Sequence, residues 1–299
     1  MDYALPDLQY DTLHLPVPGG AIDYPRIGTR PRLVFAQSKV LHSPRQNQLL
    51  AALPDADYER VLPYLEFMQL ASGSTLHEAG GHLNFAYFPT AGIVSLLCVM
   101  ESGAAAAVAI AGNEGMIGTS LFMGGGVTPD RALVQSAGYA YRLGANKLRE
   151  EFKRGGYLSR LLLRYTQSLI TQMAQTAVCN RYHSIEQQLC RWLLLSFDRV
   201  PTNELSLTHE LLANILGVRR EGVTEAAGKL QKAGMIRYGR GHITVLSHLE
   251  LENRVCECYA AVKGESGRAA AATMPGYSRA RACSALLPIE SHVFAGNRP

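Results

Sequence analysis

The stretch from Leu205 to Leu246, LSLTHELLANILGVRREGVTEAAGKLQKAGMIRYGRGHITVL, constrains the fold more tightly than any other part of the chain. Its pattern is helix, tight turn, helix, hairpin. Thr208 stands where a hydroxyl can cap a helix whose apolar side carries Leu211, Leu212 and Ile215. Gly217 follows at the point where a helix end needs a left-handed residue. Val218 then anchors the turn, and Arg219 opens a second helix with Val223, Ala226, Ala227 and Leu230 on its core side. Two helices joined in this way make a helix-turn-helix. Beyond them, MIRYGRGHITVL gives a short strand, a Gly-Arg-Gly turn and a second strand, a two-stranded wing.

The second helix of such a unit lays its N-terminal residues in the major groove of DNA, so long polar side chains are required there. Arg219, Arg220 and Glu221 meet that requirement. Arginine can take O6 and N7 of guanine with two parallel hydrogen bonds, and glutamate can accept from the N4 amino group of cytosine. Thr208, His209 and Thr224 complete the expected DNA-facing set on the two helices, while Arg237 and Arg240 on the wing are placed to hold phosphates.

Composition supports a folded, two-domain chain. At 299 residues it exceeds one small domain, and 47% hydrophobic with 18% charged residues is the balance of a globular protein with a sizeable core. A net charge of +4 permits nucleic-acid binding without demanding it. The six cysteines, Cys98, Cys179, Cys190, Cys256, Cys258 and Cys283, lack the paired spacing of a zinc site and are too sparse for a disulfide scaffold, which fits a reducing cytoplasm. Cys256 and Cys258 form the only close pair and have no matching second pair, so no metal site is expected. Neither a membrane span nor a secretory leader is expected from the sequence.

The texture of the chain changes along its length. Residues 1–44 are proline-rich with little apolar periodicity and read as an extended or disordered arm. Residues 45–150 open with an amphipathic helical pattern and continue, from Gly73 to Leu143, as short apolar runs cut by glycines, the mark of an antiparallel, jelly-roll-like β-roll. Residues 151–184 are helical: Leu158, Leu162, Tyr165, Leu169 and Met173 recur at steps of three and four and are expected to form a dimerisation seam. Residues 185–250 hold the winged helix-turn-helix, and 251–299, small, polar and punctuated by Pro and Gly, read as a disordered tail. The fold class is therefore α+β.

This order of parts resembles the Crp/Fnr superfamily of regulators over roughly residues 45–250, most closely in LTHELLANILGVRREGVTEAAGKLQKAGMI. The resemblance implies that Arg220 and Glu221 read bases. Where one typical member of the family carries a further arginine one turn later, this chain has Glu225, so the operator sequence does not carry over. In members that bind cyclic nucleotides, a Gly-Glu pair holds the ribose and an Arg-Ser pair the cyclic phosphate. The corresponding positions here are Gly118-Thr119 and Arg131-Ala132. Thr119 cannot replace the carboxylate and Ala132 has no hydroxyl, which disfavours a cyclic nucleotide, although Arg131 can still meet an anion. An iron–sulfur cluster is disfavoured because no cysteine precedes Cys98, and haem because His77 and His82 read as surface or turn histidines.

A cupin-like small-molecule or metal-binding protein is the alternative from another class. Its histidines stand one residue apart, whereas His77 and His82 are separated by four, with Glu78 between them. No nucleophile carries a local signature, so the chain is read as non-enzymatic. A sensory module without specific DNA binding is a further alternative. The leading expectation is a homodimer on an approximately palindromic site in double-stranded DNA, with an effector of unknown identity acting from the β-roll, contact with RNA polymerase left open, and no membrane partner.

Overall fold

The computed structural model describes residues 42–125 and 127–271. The proline-rich arm up to residue 41, and the tail beyond 271, lie outside the described residues. Pro44, expected to close the arm, is instead buried in a 3₁₀ turn capped by Ser43.

Short helices α1 (Gln48–Ala51) and α2 (Asp55–Val61) precede an antiparallel sheet. Its strands are β1 (Leu65–Leu70), β2 (Thr75–His77), β3 (Phe85–Val99), β4 (Ala105–Ala111) and β5 (Arg131–Gly144), in the order β1-β5-β3-β4 with β2 also on β5. The chain is mixed α and β, as expected. Strand β3 bends through register shifts between Pro89 and Val94, where it crosses β5 so closely that a Cβ on Gly138 would collide with the Ala91 carbonyl oxygen. Only glycine permits that approach.

Helix α3 (Ala145–Lys153) leads into α4 (Tyr157–Tyr182), which lies along the roll. The Tyr165 hydroxyl donates to the Met116 carbonyl at 2.9 Å, and the Gln172 amide bridges the Ile110 N–H and C=O at 2.7 and 3.2 Å. Leu158, Leu162, Tyr165 and Leu169 are buried in the roll's own core, with Met173 packed against it. The seam assigned to dimerisation therefore faces inward, because a three-and-four periodicity is satisfied as well by a sheet of the same chain as by a second helix.

α5 (Ile185–Phe197) opens the C-terminal half with a capping box in which Ser184 and Gln187 satisfy each other's backbone N–H groups. Strand β6 (Glu204–Ser206), α6 (His209–Leu216), α7 (Arg220–Lys232), β7 (Ile236–Gly239) and β8 (His242–Val245) follow. The hairpin gains a third strand, in the order β6-β8-β7. The chain does not become a tail at 251: α8 (His248–Arg254) and α9 (Cys258–Ala271) continue it, and Leu251, Cys256, Cys258, Tyr259 and Val262 are buried. Alanine and glycine disguise this last helix in the sequence, but its few large side chains find cover.

The two faces of β3 serve two cores. Phe88, Val94 and Leu96 join the roll interior, while Ile93 and Leu97, with Ala107 and Ile110 of β4, join the leucines of α5, α6 and α7 in a second cluster.

Candidate nucleic-acid interface

The helix-turn-helix forms for local reasons. The Thr208 hydroxyl accepts from the Leu211 N–H at 3.1 Å and starts α6. Gly217, at φ 66° and ψ 33°, ends it in the left-handed region, and the Val218 N–H returns to the Ala213 carbonyl at 3.0 Å. Val223, Ala226, Ala227 and Leu230 turn inward, as their spacing predicts. Arg219 occupies the cap position of α7 rather than its first turn.

Arg219, Arg220 and Glu221 are exposed at the start of α7 and make no ion pair among the described residues. Side chains in that condition are free to exchange water for base edges or phosphates. Glu225, by contrast, is held by Lys229 at 2.8 Å, a contact that keeps its carboxyl below the ordinary value. Arg237 and Arg240 are exposed on the wing. Arg240 and Gly241 connect β7 to β8 with φ angles of 52° and 78°, the two-residue turn that matches strand twist. Arg240 is the one non-glycine residue at positive φ among the described residues, a conformation that costs a residue with a Cβ roughly 1–2 kcal/mol.

His209 and Thr224, expected to face DNA, brace the unit from within. The His209 ring stacks on Tyr238 with centroids 4.3 Å apart, and its Nδ1 lies 3.1 Å from the Thr224 hydroxyl, which also reaches the Arg220 carbonyl at 3.0 Å. Three elements, α6, α7 and β7, are thereby held together beneath the exposed arginines. Burial pulls the imidazole below its ordinary pKa, and the Arg220 charge adds to the shift. Tyr238, which also donates to the Leu207 carbonyl at 3.1 Å, is a brace that the sequence reading misses; its period-two placement on the wing is the available signal.

The ligand positions in the roll are arranged differently. Gly118, at φ 99°, precedes a 3₁₀ turn that begins at Thr119, whereas Arg131 opens β5 and gives its Nε–H to Glu78 at 2.5 Å. His77, expected as a surface or turn histidine, is buried in the last position of β2, 3.8 Å from Asp130; His82 is exposed. A cavity of about 690 Å³ lies elsewhere, lined by Leu49, Leu53, Leu161, Arg164, Tyr165 and Arg199 among others, and by none of Gly118, Thr119 and Arg131.

The outer face of α4 carries Leu163, 55% exposed, Ile170, 50% exposed, and Val178 and Tyr182 further on. Among the described residues, no helix is long and apolar enough to cross a membrane.

Comparison with known proteins agrees with this geometry. Residues 187–254 match the family model of the Crp-like helix-turn-helix domain. No curated protein matches the chain in sequence. Among solved structures, FixK2 from Bradyrhizobium japonicum aligns with a TM-score of 0.56 at 14% identity, covering 64% of this chain and 98% of its own. A putative Crp/Fnr-family transcriptional regulator from Eubacterium rectale aligns at 0.54 with 19% identity, over 69% and 96% of the two chains. A Crp/Fnr-family transcriptional regulator from Thermus thermophilus aligns at 0.51 with 23% identity, over 63% and 97%. At these identities the likeness is one of fold.

Proposed function

We propose that this chain, which carries a Crp-like helix-turn-helix domain on a fold shared with Crp/Fnr regulators, is a homodimeric, sequence-specific transcription regulator. The observation that carries the reading is the arrangement of Arg219, Arg220 and Glu221, exposed and without ion pairs among the described residues at the N-terminus of α7, beside Arg237 and Arg240 on the wing. The helix presents base-reading groups; the wing presents phosphate-holding ones. Two copies pair through the outward face of α4, at Leu163 and Ile170, and set two such helices on successive major-groove faces roughly 34 Å apart. The operator is then an approximate palindrome, and the regulator acts in the cytoplasm, where the chromosome is. An effector acts from the N-terminal half by shifting the population of DNA-competent dimers.

The test begins with selection of bound duplexes from a random pool, which is expected to return an approximate palindrome. On that operator Arg220→Ala should cost ~1–3 kcal/mol, with little loss on random duplex. Arg240→Ala should weaken binding to both by similar factors and lower the slope of log affinity against log salt by about one. If Arg220→Ala leaves the ratio of specific to random affinity unchanged, α7 does not read sequence and the proposal fails.

A further inference from the structure

Four potential metal ligands that are scattered in the sequence meet at the junction between α4 and the C-terminal half. Cys179 and His183 lie one helical turn apart at the end of α4, and Cys256 and Cys258 flank Glu257 where the chain passes from α8 into the first residue of α9. One ligand atom from each lies within 4.8 Å of every other. The Cys179 and Cys256 sulfurs are 3.6 Å apart, and the Cys258 sulfur is 3.6 Å from His183 Nδ1. A tetrahedral zinc ion, with bonds of about 2.3 Å to sulfur and about 2.0–2.1 Å to nitrogen, spaces its ligands by about 3.6–3.8 Å along each edge. Two of the edges therefore already have the length that the ion requires.

From this geometry we infer that Cys179, His183, Cys256 and Cys258 form a structural Zn²⁺ site that fastens the C-terminal helices to the end of α4. In the sequence Cys256 and Cys258 have no second cysteine pair to complete a site; the partner pair is Cys179 and His183, separated by three residues on one helix face. All four positions would be filled by protein, as in closed structural sites.

Two features outside the ligand set suit a zinc–thiolate cluster. The far ring nitrogen of His183, Nε2, lies 3.4 Å from the Glu257 carboxylate, the partner that fixes tautomer and ring orientation for a metal-bound histidine. Arg191, only 5% exposed, makes no ion pair among the described residues; it gives one hydrogen bond, to the Thr176 hydroxyl at 3.2 Å, and its Nε has no partner. Thr176 lies three residues before Cys179 on α4. Three thiolates and one Zn²⁺ carry a net charge of minus one, which answers the positive charge of Arg191. On binding, the thiols lose their protons to solvent and no redox change occurs.

The position gives the site its consequence. His183 ends α4 and Ser184 caps α5, so the ion would lie at the joint through which the DNA-binding half is attached. The inference is independent of whether α7 reads bases.

The test uses the full chain, purified under reducing conditions without chelator. Elemental analysis is expected to give one zinc per chain. Exchange for Co²⁺ should produce the intense visible d–d bands of a tetrahedral cobalt site together with thiolate-to-cobalt charge transfer. The double variant Cys256→Ser/Cys258→Ser should lose both metal and bands, and Cys98→Ser, exposed and outside the cluster, should retain them. Since the double variant can fail to fold, wild-type protein stripped by chelator supplies the second reading: its melting temperature should fall and recover when Zn²⁺ alone is returned. The inference is overturned if the reduced chain purifies without metal and takes up neither ion, if zinc is retained by the folded double variant, or if mass spectrometry of protein alkylated in the cell shows a Cys179–Cys256 disulfide in place of free ligands.

Discussion

At the residue scale, the candidate interface depends on how its exposed side chains are braced from behind. His209 stacks on Tyr238 and meets the Thr224 hydroxyl through Nδ1, and burial, with the Arg220 charge adding to it, makes the fold hold it neutral more readily than the unfolded chain does. A depressed folded-state pKa means that the unfolded chain binds the extra proton first. The stability contributed by neutral His209 is thus full above the ordinary value of 6.5 and is lost as pH falls through and below it. Melting curves between about pH 8 and pH 5 should show a decline on the acid side that His209→Gln flattens, because glutamine stays neutral throughout. An equal decline in the variant would place the pH sensitivity in other groups. Arg240 shows the reverse economy, a charge kept at a position where the backbone favours glycine. Its retention there is intelligible if the wing tip must carry charge.

At the scale of elements, α4 has two apolar aspects and the sequence could not assign them. Leucines occupy Leu158, Leu161, Leu162 and Leu163 in near succession, so the periodicity alone admits several seams. The sheet decides: Tyr165 and Gln172 reach Met116 and Ile110, which turns Leu162 and Leu169 inward and leaves Leu163 and Ile170 outside. Replacing Leu163 and Ile170 together by Glu should convert a dimer to a monomer in sedimentation without loss of fold, and operator affinity should collapse with it. The pair Leu162 and Leu169, buried in the roll, would unfold the domain instead, so it makes a poor probe of association. A variant at 163 and 170 that still sediments as a dimer would move the contact elsewhere. The helix-turn-helix was legible because every signal in it is local: a hydroxyl cap, a glycine stop, and core residues spaced within one turn of each other. The elements after 250 were not, since α9 contains few large side chains and its cover is supplied by residues far away in sequence, as are the partners of Cys256 and Cys258. Arg131 falls between these cases. Its type was right for an anion, but only the strand pairing of β2 with β5 brings Glu78 to it.

For the whole molecule, the decisive feature is that Ile93 and Leu97 of the roll share one cluster with the interior of the winged helix, while Val94 and Leu96 on the other face of the same strand belong to the roll. The turn of the helix-turn-helix approaches this sheet so closely that a Cβ on Gly217 would lie 2.9 Å from the Ala106 side chain. Two domains joined by a linker melt separately; two that share a strand's worth of core do not. Calorimetry on the full chain should therefore record a single endotherm whose calorimetric and van't Hoff enthalpies agree, and two resolved peaks would contradict the coupling of the two cores through β3. The same feature bears on how the protein can be divided. A fragment cut at the boundaries of the family match, 187–254, forfeits Tyr259 and Val262 at one end and exposes, on the other, the leucines that β3 and β4 had covered. Such a fragment should be sticky and poorly folded, so the smallest autonomous folding unit of this protein is larger than its recognisable motif.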